Sequence, residues 1–238
     1  MRSSRVLRGV AYMFASVLAF SARAADMTFA TVPYTTDQGC TDDCPRLMQA
    51  SGQITRRTPQ AFVDFARKEI QKPGLINVLL IHSPGGSVNA SIALGRVLRK
   101  LGTVVVVARA MDAREIPERI AGEQQKGLPP SMRFVSGTCA SACVYALAGG
   151  VRRVVPPESR IAVHRMAGNI GQIDPATREY RDERVYAGEG ELNALTDYIA
   201  QMGVSTELVE LAESVPHEEA RVLTDKEIRR FKLGRPKL

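Results

Sequence analysis

Three short stretches of this chain carry residues that can act together on a carbonyl group. The first, GTCASACVYALAGG (137–150), places Ser141 among small residues and between Cys139 and Cys143. A serine on a tight turn, between a strand and an apolar helix, has the arrangement of a nucleophile whose hydroxyl is exposed. The next backbone amide, that of Ala142, can then donate to an oxyanion. By itself, however, the stretch favours a serine packed in a helix interface.

The second and third stretches add backbone amides and an imidazole. HSPGGSV (82–88) contains Gly85 and Gly86, which allow a sharp turn and leave amide N–H groups unobstructed for an oxyanion. RIAVH ends in His164, and an imidazole at the end of a buried strand is well placed to act as a base toward a hydroxyl. Taken singly, Pro-Gly-Gly is also an ordinary turn, and a histidine at a strand end is commonly structural. His82 is expected to support the turn.

The elements that must position these residues follow from hydrophobic periodicity. INVLLI (76–81) and TVVVVA (103–108) are continuous apolar runs typical of strands buried on both faces. NASIALGRVLRKLG (89–102) has helical spacing and ends in basic residues and a glycine. A strand, a helix and a strand in this order predict a parallel crossover unit, and therefore an α/β fold.

Other segments are predicted from composition and spacing. Residues 26–45 are expected to be an irregular lead-in, and residues 110–131, rich in charge, proline and glycine, an inserted surface segment. RRVVP (152–156) and RIAVH (160–164) are expected to form a hairpin. The remaining predictions are helices. One begins at Thr58, and two short helices at 206–212 and 225–231 close the chain. The segment at 170–202 is also expected to be helical, from the spacing of Leu192, Leu195, Ile199 and Met202.

In this order, IHSPGGSV, GTCASACVYALAGG and RRVVPPESRIAVHRM resemble the Clp-type serine protease family, whose fold belongs to the crotonase group. The resemblance spans about residues 75–234, and it is closest to exported, periplasmic Clp-like proteins of bacteria. The tail RVLTDKEIRRFKLG (221–234) also resembles the family's segment before its last helix. The resemblance implies one domain at 25–238, a spiral of repeated β-β-α units with a mostly parallel sheet.

The resemblance also implies roles for individual residues. Ser141 corresponds to the nucleophile and His164 to the base, while Gly85 and Gly86, with the amide of Ala142, correspond to the oxyanion hole. No cofactor or metal is implied. The substrate would be a peptide or protein, and the family's ring assembly implies a homo-oligomer formed through the segment at 170–202.

The sequence departs from the family pattern where the third catalytic residue is expected. An aspartate normally precedes the R-x-L-T segment, and here that position is Ala220. Glu219, with Glu218 as the alternative, is the candidate to orient His164, as glutamate does in some triads. The insertion at 110–131 also lengthens the distance in sequence between the glycines and the serine.

Residues 1–24 have the features of a secretory signal peptide: a basic start, the apolar run GVAYMFASVLAF (9–20) and the small-x-small site ARA (22–24). The run is short for a bilayer span. We therefore expect cleavage near Ala24 and a periplasmic or secreted protein, with an uncleaved inner-membrane anchor as the alternative. Removing the segment's four arginines leaves 28 basic and 25 acidic residues and lowers the formal charge from +7 to +3. This charge does not indicate a nucleic-acid-binding surface.

The four cysteines, Cys40, Cys44, Cys139 and Cys143, suggest two disulfides in an exported chain, with three possible pairings. A four-thiolate zinc site is the alternative. We expect a bond from Cys139 or Cys143 to Cys40 or Cys44, which would tie the lead-in to the turn at Ser141. Cysteine as the nucleophile is a competing idea, but no cationic residue adjoins Cys139 or Cys143 in sequence.

The leading expectation is thus an exported serine peptidase. ATP is not expected outside the cytoplasm, so an ATP-driven unfoldase is not an expected partner. A catalytically inactive binding or assembly module is the first alternative, since fold does not guarantee function. A crotonase-like acyl-CoA enzyme is the second.

Overall fold

The computed structural model describes residues 25–33, 45–110 and 134–236. The fold is mixed α/β. Its strands, in chain order, are β1 (Thr28–Pro33), β2 (Arg46–Ser51), β3 (Leu75–His82), β4 (Val104–Ala110), β5 (Phe134–Ser136), β6 (Thr138–Ala140), β7 (Arg152–Val154), β8 (Arg160–Val163), β9 (Ala167–Ile173), β10 (Tyr180–Tyr186) and β11 (Arg221–Val222). Its helices are α1 (Thr58–Glu69), α2 (Val88–Lys100), α3 (Cys143–Ala148), α4 (Glu189–Gln201), α5 (Glu207–Ser214) and α6 (Asp225–Arg230).

The strands form three sheets. The largest has the order β1-β2-β3-β4-β5, and β7 also pairs with β4. Within it, β2, β3, β4 and β7 are parallel, while β1 and β5 are antiparallel to their neighbours. A three-stranded sheet, β11-β8-β6, pairs β6 and β8 in parallel, and β9 with β10 forms an antiparallel hairpin.

The predicted crossover unit is confirmed. The apolar run in β3 buries Leu79 and Ile81 completely, and β3 pairs in parallel with β4. Between them, α2 begins after Ser87, whose side chain accepts a hydrogen bond from the amide of Ala90 at 3.3 Å, as a helix N-cap does. The connection places the turn at Gly85 between the end of β3 and the start of α2.

Three sequence expectations are corrected. The lead-in at 26–45 contains a strand, β1, which pairs with β2. RRVVP and RIAVH do not pair with each other, because β7 joins β4 and β8 joins β6. The segment at 170–202 is helical only from Glu189, since its first part belongs to β9 and β10.

The physical reason for the last correction lies in the turn between β9 and β10. The side chain of Asp174 accepts a hydrogen bond from the amide of Ala176 at 2.8 Å, and Arg178 adopts a left-handed φ of 61°. Such a turn reverses the chain, whereas a helix would continue. The predicted spacing from Leu192 onward is correct for α4.

Close contact between helices fixes the helix that follows Ser141. A Cβ at Gly149, just after α3, would lie 2.1 Å from the carbonyl oxygen of Gly95 in α2. The hydroxyl of Tyr198, on α4, donates to the carbonyl of Tyr145 in α3 at 2.8 Å. Every residue of α3 is buried. The helix is therefore held rigidly at the centre of the core.

Several sequence predictions lie outside the described residues. These are the signal peptide at 1–24, nearly all of the insertion at 110–131, and Cys40 and Cys44. Among the helices that the structure describes, none has the length and apolar character needed to cross a bilayer.

Candidate active site

Ser141 lies at the sharp turn between β6 and α3. Its φ is 54°, a left-handed conformation that is uncommon for a residue with a side chain. Two backbone hydrogen bonds hold it there: its amide donates to the carbonyl of Ala162 at 2.8 Å, and its carbonyl accepts from Val144 at 3.0 Å. The half-buried side chain makes no hydrogen bond to any described residue. The turn therefore presents a hydroxyl without a partner among the described residues.

A disulfide encloses this turn. Cys139 and Cys143 are bonded to each other, with their Cα atoms 5.2 Å apart, and both are fully buried. The expected bond from this pair to the lead-in is therefore wrong, because two cysteines on either side of a reversal are already close enough to pair. A four-thiolate zinc site is also excluded, since these two sulfurs are consumed. Among the residues described, no cluster of three potential metal ligands occurs.

The glycine turn after β3 lies directly against Ser141. Ser83 joins it to β6 through two backbone hydrogen bonds, from its amide to Thr138 at 2.8 Å and from Ala140 to its carbonyl at 3.0 Å. Gly85 has a φ of 105°, and a Cβ there would lie 2.8 Å from the Cβ of Ser141 and 2.6 Å from the carbonyl oxygen of Ala140. Only glycine fits this contact.

Two backbone amides near Ser141 have no protein acceptor. Within the described chain, neither the N–H of Gly86 nor that of Ala142 donates a hydrogen bond. The turn around Gly86 is fixed by Ile54, whose amide donates to Gly85 at 2.7 Å and whose carbonyl accepts from Ser87 at 2.8 Å. Rigid, unpaired amides of this kind can stabilise a developing oxyanion.

His164 follows β8, the neighbour of β6. Ala140 and Ala162 are paired in the parallel register of these strands, and neighbouring strands lie about 4.8 Å apart. Ser141 and His164 therefore emerge at the same end of the small sheet. No hydrogen bond joins their side chains, as is common for catalytic pairs without substrate.

The surroundings of His164 define its tautomer. Its Nδ1 lies 3.0 Å from the carbonyl oxygen of Arg165, and a carbonyl oxygen can only accept a hydrogen bond. Nδ1 therefore carries the proton, and Nε2 keeps its lone pair. The Nδ1 of His217 lies 3.1 Å from the same oxygen, and the two rings meet edge to face with centroids 4.6 Å apart.

The pKa of His164 is lowered from its ordinary value. Burial is the largest cause and the charge of His217 the second, while the Arg165 carbonyl, Glu213 and Glu218 act in the opposite direction. The imidazole is accordingly neutral at neutral pH. A neutral imidazole with a free Nε2 lone pair can take a proton from an alcohol.

The structure does not bring Glu219 to His164. Glu219 is exposed, and no hydrogen bond joins it to the imidazole within the described chain. Glu218 is bound instead to Arg184. Glu213 contacts the segment that follows His164, because its side chain accepts a hydrogen bond from the amide of Met166 at 2.9 Å.

Sequence reasoning missed the groups that face His164. The acceptor is a main-chain oxygen, and every residue has one, so no residue type marks it. His217 lies 52 residues from Arg165, whose carbonyl it shares with His164. The one sequence feature that could have drawn attention to His217 is that the chain has just three histidines. His82, at the end of β3, accepts a hydrogen bond at its Nδ1 from the amide of Thr138 in β6 at 3.0 Å.

Comparisons with known proteins give a similarity of fold. No family model matches the chain, and no curated protein matches it. Among solved structures, a mutant of the 1510-N membrane-bound stomatin-specific protease is similar, with a TM-score of 0.47, 16% identity, and coverage of 78% of this chain and 74% of that one. The catalytic domain of the ClpP protease from Plasmodium falciparum has a TM-score of 0.43 and 15% identity, over 78% of this chain and 82% of that one.

Proposed function

We propose that this protein is an exported serine hydrolase, a peptidase that cleaves peptides or proteins through Ser141. The observation that carries the proposal is the hydroxyl of Ser141, raised on a left-handed turn beside two amides without protein acceptors. A buried turn of this kind stores backbone strain, and such strain clusters at functional sites.

In the proposed reaction, the Nε2 of His164 takes the proton of the Ser141 hydroxyl as its oxygen attacks the substrate carbonyl. The negative oxygen of the tetrahedral intermediate accepts hydrogen bonds from the amides of Gly86 and Ala142. His164 then returns the proton to the leaving amine, and water releases the acyl group by the same steps in reverse order. Every proton transfer uses His164, and no cofactor or metal takes part.

The carbonyl of Arg165 takes the place of a third catalytic side chain. It holds Nδ1 in the protonated tautomer, which is the role that a carboxylate performs in many triads. Its partial negative charge is weaker than that of a carboxylate, but Glu213 and Glu218 also favour the imidazolium. The proposal therefore does not require Glu219.

The remaining parts of the proposal concern the whole protein. We expect a Clp- and crotonase-like spiral fold, a homo-oligomer, and activity independent of ATP in the periplasm or outside the cell. The disulfide between Cys139 and Cys143 supports this location, because disulfides persist in oxidising compartments.

A fluorophosphonate probe tests the proposal directly. We expect stoichiometric labelling of the folded protein, no labelling of Ser141→Ala, and strongly reduced labelling of His164→Ala. Ser214→Ala is the matched control, because Ser214 is exposed and its hydroxyl already donates to the carbonyl of Leu211 at 2.7 Å. If the folded protein takes up no label, the hydrolase proposal fails and a non-catalytic binding role is favoured.

Gly85 provides a second, geometric test. Gly85→Ala would place a methyl group against Ser141, so we expect loss of labelling and destabilisation by about 3 kcal/mol or more from steric overlap. Gly102→Ala is the control: Gly102 has a φ of 67°, but a methyl group there would meet no atom within 4 Å, so it costs only about 1 kcal/mol of backbone strain. Its labelling should be unchanged.

A further inference from the structure

A separate cavity of about 740 Å³ lies at the other end of the large sheet from Ser141. Arg152, which lines it, pairs with Val104 at the start of β4, whereas Gly85 follows the end of β3. Because β3, β4 and β7 are parallel, the cavity lies toward their amino ends and Ser141 beyond their carboxyl ends. The two sites are therefore distinct.

Cationic side chains dominate the lining of this cavity. Among the described residues that line it, none is acidic, and five are cationic: Arg152, Arg153, Arg229, Lys232 and Arg235. Apart from Arg153, these side chains make no hydrogen bond or ion pair within the described chain. Four of the five cations are thus free to bind a ligand.

Arg153 forms a fixed part of the wall. Its guanidinium donates to the carbonyls of Ala148 at 3.1 Å, Gly150 at 3.0 Å and Lys232 at 2.9 Å. It has no carboxylate partner among the described residues, and these carbonyls carry only partial charges. Arg99 donates to the same oxygen of Ala148 at 3.1 Å, which brings a second guanidinium close to the first.

No carboxylate of the described residues neutralises the positive charge of Arg99 and Arg153. The Nε of Arg99 is buried without a hydrogen-bond partner. Burial is the largest cause that lowers the pKa of Arg153, and the like charge of Arg99 is the second. A cleft lined by charges of one sign attracts ions of the opposite sign, here anions.

We infer that this cavity binds a compact anion that carries two or more phosphate groups. Guanidinium groups match phosphate oxygens in pairs, and four unpaired cations require more than one negative charge. The volume lies within the range of about 300–1,000 Å³ that is typical of small-molecule sites. The cations line a cavity rather than a stripe or a flat face, which favours a small ligand over duplex nucleic acid or a membrane surface.

Calorimetry with inorganic pyrophosphate tests this inference on the full chain. We expect saturable binding of one pyrophosphate per chain, and at least about a tenfold loss of affinity in Arg152→Gln/Arg235→Gln, because charge-assisted hydrogen bonds are lost. Fluorophosphonate labelling of Ser141 should be unchanged in this variant, so the result does not depend on the proposed hydrolase activity.

The matched control removes the same charge elsewhere. Arg67→Gln/Lys68→Gln lowers the net charge by two on the exposed face of α1 and should leave pyrophosphate affinity unchanged. Equal weakening in both double variants would overturn the inference, since binding would then follow net charge alone. Absence of saturable pyrophosphate binding would also overturn it, as would binding only to vesicles of phosphatidylcholine with phosphatidic acid.

Discussion

The proposed base, His164, is oriented by a main-chain oxygen. The carbonyl of Arg165 accepts from the Nδ1 of both His164 and His217, and one carbonyl oxygen has two lone pairs with which to do so. Each imidazole therefore has its proton on Nδ1. The pair also interacts electrostatically, because a charged His217 disfavours a charge on His164.

This arrangement predicts the pH dependence of Ser141 reactivity. Because the pKa of His164 is lowered from 6.5, the neutral base persists as pH falls through that value. The rate of fluorophosphonate labelling should therefore be half-maximal at a pH below 6.5. This fall at low pH is the acid limb of the profile, and at higher pH the labelling rate should reach a plateau.

The variant His217→Asn tests how His217 affects the pH dependence of labelling. Asparagine retains a donor for the carbonyl of Arg165 but removes the charge that lowers the pKa of His164, so the acid limb should move to higher pH. The plateau rate should stay within about twofold, because the orienting hydrogen bond is kept. An acid limb that does not move would contradict the electrostatic role of His217.

At the residue scale, candidate side chains can be named from residue type, whereas the groups that contact them cannot. Ser141, Gly85 and His164 were named as candidates because hydroxyl, missing Cβ and imidazole are properties of residue types. The group that orients His164 could not be named from sequence, since it is a backbone carbonyl whose direction depends on the fold. Glu219 was assigned from its position relative to R-x-L-T, but the chain turns so that its side chain is exposed.

Among the elements, the turn between β6 and α3 is the one most strongly constrained. It is paired with β8 on one side, contacts the glycine turn on the other, and is closed by the disulfide between Cys139 and Cys143. Strained conformations persist only where their surroundings over-determine them. The disulfide adds a covalent constraint to the non-covalent ones.

Removing this disulfide should affect both stability and reactivity. For Cys139→Ala/Cys143→Ala, we expect the free energy of unfolding to fall by about 2 kcal/mol, as loop-closure entropy gives for so short a loop. Labelling of Ser141 should also slow, since its turn is less constrained. Urea unfolding and labelling kinetics measure the two effects.

An unchanged labelling rate in that variant would contradict the constraining role of the bond. Dithiothreitol added to the folded wild type is a useful comparison. Because both cysteines are fully buried, reduction should be slow until the protein unfolds.

Among the helices and strands, those with long apolar runs were the easiest to predict from the sequence. β3, β4 and α2 were expected within one or two residues of their observed bounds, because their apolar residues form a continuous run in each strand and a helical spacing in α2. The hairpin β9–β10 was missed, since its strands are mostly exposed and polar and therefore lack the apolar alternation of a half-buried strand. The cysteine pairing was missed because sequence alone does not determine connectivity.

The whole molecule carries an apolar surface that is not covered within the described chain. On the hairpin β9–β10, Ile173 and Tyr180 are opposite each other in register and are 64% and 68% exposed. Large apolar side chains clustered on a surface are typical of contacts between proteins. We therefore propose the hairpin as the contact of the expected homo-oligomer.

Sedimentation velocity tests this contact. Ile173→Asp/Tyr180→Asp should shift the protein from an oligomer to a single chain, because charges would have to be buried in the interface. The matched control, Gln172→Asp/Arg181→Asp, changes the adjacent cross-strand pair, whose side chains point to the opposite face. If both variants or neither dissociate, the contact lies elsewhere.

The bond between Cys139 and Cys143 also determines which covalent reagents can react at the turn that holds Ser141. Both sulfurs beside Ser141 are oxidised and enclosed in the core, so thiol-alkylating reagents have no target at the turn. Electrophiles that acylate or phosphonylate alcohols still have the hydroxyl of Ser141 as a possible target. A compound library divided by that preference would test the proposed role of Ser141 without a substrate being known.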